Sequence, residues 1–199
     1  MVTGPGVKAG VLALQGDFAE HMAALRRSGA DAVEVRTAAQ LATVDSLIIP
    51  GGESTSMAKL MDAYGLREPL RELGRSGAPV WGTCAGLILL AERLTDDRPE
   101  PLGLMDMLVS RNGFGRQVDS FETDLDVLGL GGGPFHAVFI RAPVIVETGP
   151  PVEVLARLED GRVVAARQGN LLVTAFHPEL TRDDRLHSYF VEMMAAKAV

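Results

Sequence analysis

The chain has 199 residues, 47% of them apolar and 23% charged, which suits one folded domain, 1–199, with a single large core. A formal charge of −7, without a stripe of lysine and arginine to offset it, argues against a nucleic-acid partner, and no run approaches the roughly 18 apolar residues of a membrane-spanning helix. The single cysteine, Cys84, excludes an internal disulfide framework and fits a reducing, cytoplasmic setting, while His21, His136, His177 and His187 are scattered without metal-ligand spacing.

Residues 1–7 read as a flexible tail with no signal-peptide pattern. Lys8 to Leu14 is a continuous apolar run, expected as a central parallel strand buried on both faces. Asp17 is placed to cap a helix through about Arg27, with Phe18, Met22 and Leu25 on its inner stripe and Gly29 ending it. A strand over Ala32–Arg36, a helical turn at Ala38–Leu41 and a strand over Ser46–Ile49 follow. After Pro50-Gly51-Gly52-Glu53, a helix capped by Ser54 carries Met57, Leu60 and Met61 inward, and another helical piece spans Leu66–Leu73. This rhythm of short strands and helices predicts an α/β parallel sheet.

Pro79 to Leu90 reads as a short strand, a cramped G-x-C-x-G turn and the start of an apolar helix. Such a turn exposes its central side chain at the carboxyl end of a sheet, and its glycines are needed because a Cβ would strike the neighbouring elements. The helix start behind Cys84 would lower its thiol pKa and favour attack as a thiolate.

Beyond a polar loop at Thr95–Pro101, strands are expected at Leu104–Val109, Ser120–Leu125, Phe135–Arg141, Val152–Leu158, Val163–Ala166 and Leu171–Phe176. Glu159–Arg162 is a hairpin turn, Gly129–Gly133 is left without an element, and a helix closes the chain over about Arg182–Lys197. These later strands are expected to extend the sheet in antiparallel fashion.

A thiolate nucleophile needs a base, and the base needs an orienting group. His177 and Glu179 lie at the end of an apolar strand and flank Pro178, so the histidine can face the sulfur while the carboxylate holds its other ring nitrogen. His21 and His187 are expected as surface or packing residues of helices, and His136 as a strand residue without an acidic neighbour. Gly51 and Gly52 allow close backbone approach and could turn an N–H toward an oxyanion, although a plain strand-to-helix turn accounts for them equally well.

G-T-C-A-G at Gly82–Gly86 with H-P-E at His177–Glu179 resembles the class I, or triad, glutamine amidotransferases. Six ordered stretches are similar to the glutaminase subunits of pyridoxal 5'-phosphate synthases. They are Leu14–Asp17, Pro50–Thr55, Trp81–Gly86, Arg111–Gln117, Phe139–Pro143 and Phe176–Thr181. The resemblance implies a flavodoxin-like fold with a mixed, mostly parallel sheet flanked by helices and a nucleophile elbow at Cys84. It implies a glutaminase with Cys84 as nucleophile and His177 and Glu179 completing the relay, needing no metal or organic cofactor. Gly51, Gly52, Glu53, Arg111, Ile140 and Arg141 stand where these proteins bind L-glutamine, and a synthase subunit is the implied partner for the ammonia. By charge alone, Arg111 or Arg141 suits the substrate carboxylate and Glu53 its ammonium. The rivals are another amidotransferase of this fold, such as the glutaminase of imidazole glycerol phosphate synthase, and a silent subunit that only regulates a partner. The R-N-G-F-G-R-Q and F-I-R-A-P stretches argue against the first, and an intact Cys84, His177 and Glu179 against the second.

Overall fold

The structure is a computed structural model and describes residues 8–114 and 120–197. The tail at 1–7 and the Gly115, Arg116 and Gln117 portion of the R-N-G-F-G-R-Q stretch lie outside the described residues. The first half alternates as its pattern dictates. Strand β1 is Lys8–Leu12, helix α1 Phe18–Arg27, β2 Asp31–Val35, α2 Ala38–Leu41 and β3 Ser46–Ile49. Helices α3 (Ser54–Ala63) and α4 (Arg67–Arg75) precede β4 (Val80–Thr83), and the short α5 (Ala85–Leu90) runs straight into β5 (Ala91–Leu94). Then come β6 (Met105–Ser110), β7 (Ser120–Leu125), β8 (Phe135–Ile140), β9 (Val144–Thr148), β10 (Glu153–Arg157), β11 (Val163–Gln168), β12 (Leu171–Thr174) and α6 (Arg185–Lys197).

The main sheet runs β2-β1-β3-β4-β12-β11-β9-β6-β5, with β10 paired to β11. From β2 to β12 every pairing is parallel. Strands β3, β4 and β12 are buried at every residue because helices cover both faces, which explains their unbroken apolar runs. Beyond β12 the pairings of β11, β9 and β6 turn antiparallel, and β5 joins β6 in parallel. Order β2-β1-β3 reverses direction at β1, so the loops after β1 and β3 diverge to opposite faces and open a crevice at the carboxyl edge.

Two departures from the sequence reading are instructive. Strands β7 and β8 do not extend the main sheet; they pair only with each other in a separate hairpin. Phe121 and Phe139 stack at 4.5 Å there, and Phe139 meets Phe176 at 5.5 Å, so aromatic packing holds the hairpin over the end of β12. Strands β5 and β9 are not expected from the sequence pattern. The Ala91–Leu94 stretch continues an apolar helix without a breaker, and Val144–Thr148 lies directly behind Pro143, so neither carries its own boundary signal.

Candidate active site

Four loops that follow adjacent parallel strands build the site. Behind β4, Cys84 takes φ 48° and ψ −100°, a conformation that L residues rarely occupy and that lifts its side chain out of the sheet. Its amide donates to the Thr174 carbonyl at 2.8 Å, which ties the turn to β12. The glycines of the turn are needed sterically. A Cβ on Gly82 would lie 2.5 Å from the Gly86 carbonyl carbon, and one on Gly86 would lie 2.0 Å from the Ile49 carbonyl oxygen. Cys84 as a residue is 7% exposed, and its S–H donates toward the Ile140 carbonyl at 3.8 Å.

Behind β12, His177 and Glu179 sit at the mouth of a 3-10 turn over Pro178–Leu180. The His177 amide donates to the Val138 carbonyl at 2.8 Å, so the β7–β8 hairpin positions this backbone. The two side chains are almost closed off from solvent, and His177 Nδ1–H donates to Glu179 Oε1 at 2.7 Å. Burial pulls the His177 imidazolium down, but its hydrogen bonds to Cys84 and Glu179 outweigh this and raise it to about 10. Burial pushes the Glu179 carboxyl upward against the opposing pull of His177. The structure therefore brings Cys84, His177 and Glu179 together, with the imidazole between the thiol and the carboxylate.

Asp17 stands at the N-terminal boundary of α1, but its carboxylate makes no capping hydrogen bond. It lies instead 3.6 Å from His177 Nδ1. Asp17, His177 and Glu179 bring donor atoms within 4.8 Å of one another, and among the described residues this is the one such group with the reach of a metal site. The Nδ1 of His177 is already engaged by Glu179, which makes it part of a relay.

At the crevice, Gly16 (φ +86°) and Gly51 meet backbone to backbone: a Cβ on Gly16 would fall 1.7 Å from the Gly51 carbonyl oxygen. A Cβ on Gly51 would in turn lie 2.4 Å from His177 Cε1. Gly51 is glycine because the imidazole occupies the space a side chain would need. Gly52 adopts φ +151° and is exposed beside them.

Glu53, not Ser54, caps α3. Its Oε1 accepts from the Thr55 amide at 3.0 Å, and its Oε2 accepts from the Ser56 amide and hydroxyl, both at 2.7 Å. The Ser56 hydroxyl leads the interactions that hold its pKa down at about 2. The glutamate carboxylate reaches two bonds further than a serine hydroxyl and carries two oxygens, so it can span both orphan amides from a position where Ser54 is buried. Glu53→Ala is expected to cost about 1 kcal/mol of stability at neutral pH. Because the folded pKa is depressed, the cap contributes fully above pH 4.5 and is lost as pH falls toward 2, so wild type and variant converge in acid. Denaturant unfolding of both proteins at several pH values measures this convergence.

Arg111 Nη2 lies 3.6 Å from Glu53 Oε1 and its Nη1 donates to the Arg98 carbonyl at 2.8 Å, while its buried Nε has no hydrogen-bond partner. Glu53 and Arg111 thus face each other. Ile140 offers its backbone carbonyl to Cys84 and leaves its side chain 41% exposed, and Arg141, exposed beside it, takes φ 46°.

Two histidine expectations are extended and one is corrected. His21 and His187 are completely buried and joined, His21 Nδ1 to His187 Nε2, at 3.0 Å. His21 Nε2 lies 3.1 Å from Thr83 Oγ1 and 3.3 Å from Glu179 Oε2, so it belongs to the site. A signal existed: His21 falls three residues after Phe18 and four before Leu25, on the inward stripe of α1. His136, exposed on β8, does have acidic neighbours, Asp124 and Glu122, each at 2.9 Å across the hairpin. Their cross-strand pairing, invisible in linear order, raises its pKa.

Comparison with known proteins shows what the chain is similar to. A pyridoxal 5'-phosphate synthase subunit PdxT from Acidothermus cellulolyticus is 61% identical over 197 residues, covering 96% of this chain and 95% of that protein. A protein of the same name from Dehalococcoides mccartyi is 59% identical over 189 residues, covering 94% and 97%. A glutamine amidotransferase crystal structure superposes with a TM-score of 0.88 at 52% identity, covering 96% of this chain and all of that one. The structure of PurLQS from Thermotoga maritima, at 16% identity over 98% and 100% of the two chains, shares the fold with a TM-score of 0.69. Residues 11–196 match the SNO glutamine amidotransferase family, and the chain belongs to it.

Proposed function

We propose that this chain is the glutaminase subunit of a pyridoxal 5'-phosphate synthase, hydrolysing L-glutamine to glutamate and ammonia and delivering the ammonia to a synthase subunit. The observation that carries this reading is the contact chain Cys84–His177–Glu179 at the ends of two neighbouring parallel strands, in a chain of an amidotransferase family. The Cys84 thiol passes its proton to His177 while its sulfur attacks the side-chain amide carbon of glutamine, and the carbonyl oxygen becomes an oxyanion. His177 passes its proton to the departing nitrogen, ammonia leaves, and a γ-glutamyl thioester remains. Water then loses a proton to His177 and attacks the thioester, releasing glutamate and the thiol. Glu179 holds the imidazolium in place through Nδ1. Amides in the first turn of α5 have no acceptor within the helix, and they and the Gly51–Gly52 turn would supply the donors to the oxyanion. Gly51, Gly52, Glu53, Arg111, Ile140 and Arg141 surround the substrate. The relatives named above are synthase subunits, which supports a hetero-oligomeric complex with a synthase subunit. Among the described residues no helix is long and apolar enough to cross a membrane.

Unneeded ammonia is wasteful, because in water it is mostly protonated and no longer nucleophilic. A peptide at Gly51–Gly52 that points its carbonyl at the oxyanion position would act as a brake, since one missing donor costs about 10²–10³ in rate. The test is to purify the chain with and without its synthase and measure ammonia release at saturating glutamine, then glutamine-dependent pyridoxal phosphate formation. The synthase is expected to raise hydrolysis at least about tenfold, the effect of selecting one backbone orientation. Equal rates with and without it would remove the brake, and absent hydrolysis in the complex would remove the glutaminase reading.

A further inference from the structure

Glu179 has two carboxylate oxygens, and the relay accounts for one. Oε1 receives the Nδ1–H of His177; Oε2 is buried without a hydrogen-bond partner of its own. What lies against Oε2 is the imidazole of His21, with Nε2 at 3.3 Å. The same Nε2 stands 3.1 Å from the hydroxyl of Thr83, the residue directly before Cys84. On the other side of the ring, Nδ1 meets His187 Nε2 at 3.0 Å. Trp81 packs edge-on against both imidazoles, with centroids 5.8 Å from His21 and 5.0 Å from His187. One buried ring on α1 therefore touches the carboxylate behind β12 and the residue that leads into the cysteine turn behind β4.

We propose that His21 is a positioning residue of the glutaminase site: as a neutral imidazole with its proton on Nε2, it turns an N–H toward Glu179 Oε2 and Thr83 and so keeps the carboxylate charged and aimed at His177. The inference rests on the reading of Cys84, His177 and Glu179 as the relay.

The tautomer follows from counting donors. With the Nε2 proton on His21, its Nδ1 is a bare acceptor and must receive the Nε2–H of His187. That leaves His187 Nδ1 as an unprotonated nitrogen, and it is the ring nitrogen buried without a partner. An unpaired lone pair in that position is tolerable; an unpaired N–H would lose a full donor bond. The reverse assignment strands an N–H at His187 Nδ1 and turns a bare nitrogen toward a carboxylate, two unfavourable contacts in place of one tolerable unpaired acceptor. Neutrality is supported by surroundings: burial, then His187 and His177, hold His21 well below its usual range, and burial likewise holds His187 at about 4. A neutral donor matters because a second imidazolium beside Glu179 would compete with His177 for its charge. The groups that bear on this cluster are Asp17 and His177 about Glu179, His187 and His177 about His21, and Asp184 and Arg27 about His187.

His21→Phe keeps a flat ring and removes the donor, while His21→Gln puts an amide N–H near the position of Nε2. In the complex with the synthase, kcat for glutamine hydrolysis is expected to fall about 10- to 100-fold in His21→Phe with KM little changed, as when an orienting partner is lost. The acid limb of the kcat profile should move to higher pH, because Glu179 is then easier to protonate. His21→Gln should restore most of both. A folded His21→Phe protein with the wild-type kcat and pH profile overturns the proposal, as do equal losses in the two variants, which would leave a packing role only. Nitrogen NMR of the imidazoles in the wild-type complex decides independently of whether either variant folds. A neutral His21 with its proton on Nε2 from pH 5 to pH 8 is expected, and a cation or an Nδ1–H tautomer overturns the assignment. A Cys84→Ser control separates the two readings: turnover that persists there fails the relay itself, whereas a dead control beside a fully active His21→Phe fails only the role of His21.

Discussion

Cys84→Ser will leave a folded protein whose glutamine turnover has fallen by at least about 10³, the scale on which loss of a covalent nucleophile is felt. The exchange alters one atom in a residue that is 7% exposed and anchored by its own backbone, the amide on Thr174, so the turn has no reason to open. Serine at this position would have to surrender a proton from a hydroxyl of much higher pKa. The rest of the relay should rank accordingly. His177→Asn removes the proton carrier and should match Cys84→Ser, while Glu179→Gln keeps an acceptor oxygen near Nδ1 and should lose less. A glutamine-like alkylating agent should add one label, at the sole cysteine. Ammonia release in the synthase complex, with mass spectrometry of the labelled protein, measures all of this, and substantial turnover in Cys84→Ser would sink the nucleophile assignment.

Gly86→Ala should be the most damaging single methyl in the chain's elbow. The added Cβ would sit 2.0 Å from the Ile49 carbonyl oxygen and 3.0 Å from its carbon, and the contact is with backbone of β3, which is buried throughout and cannot swing aside. Relief requires α5 to lift from the sheet, breaking the packing of a helix whose six residues are all buried. A loss of more than about 4 kcal/mol is expected, at the far end of what point substitutions cause. Gly131→Ala provides the control, since a Cβ there meets nothing within 4 Å and its φ is ordinary. Denaturant unfolding of the two variants should separate them widely; comparable stability would mean that the elbow relaxes far more readily than close packing allows.

Local pattern determined a large part of this molecule. The α/β alternation of the first half, the helices at Ala38–Leu41 and Ser54–Ala63, the hairpin around Glu159–Arg162 and the cysteine turn could be read directly, because each is encoded by apolar period, a cap or a glycine within a few residues. His177 and Glu179 were legible for the same reason: they flank one proline at one strand end. Tertiary structure decided what linear order cannot express. Hydrogen-bond competition gave the cap of α3 to Glu53 and left the Asp17 carboxylate 3.6 Å from His177. Strand pairing put His136 between two acids, and aromatic packing made β7–β8 a separate hairpin that delivers the Val138 and Ile140 carbonyls to the site. Above all, His21 and His187 are 166 residues apart and were expected to do no more than pack or face solvent. They become part of the site only when α1 and α6 close over β4, because a buried imidazole must find its partners wherever the fold brings them, and here the partners are each other, Thr83 and Glu179.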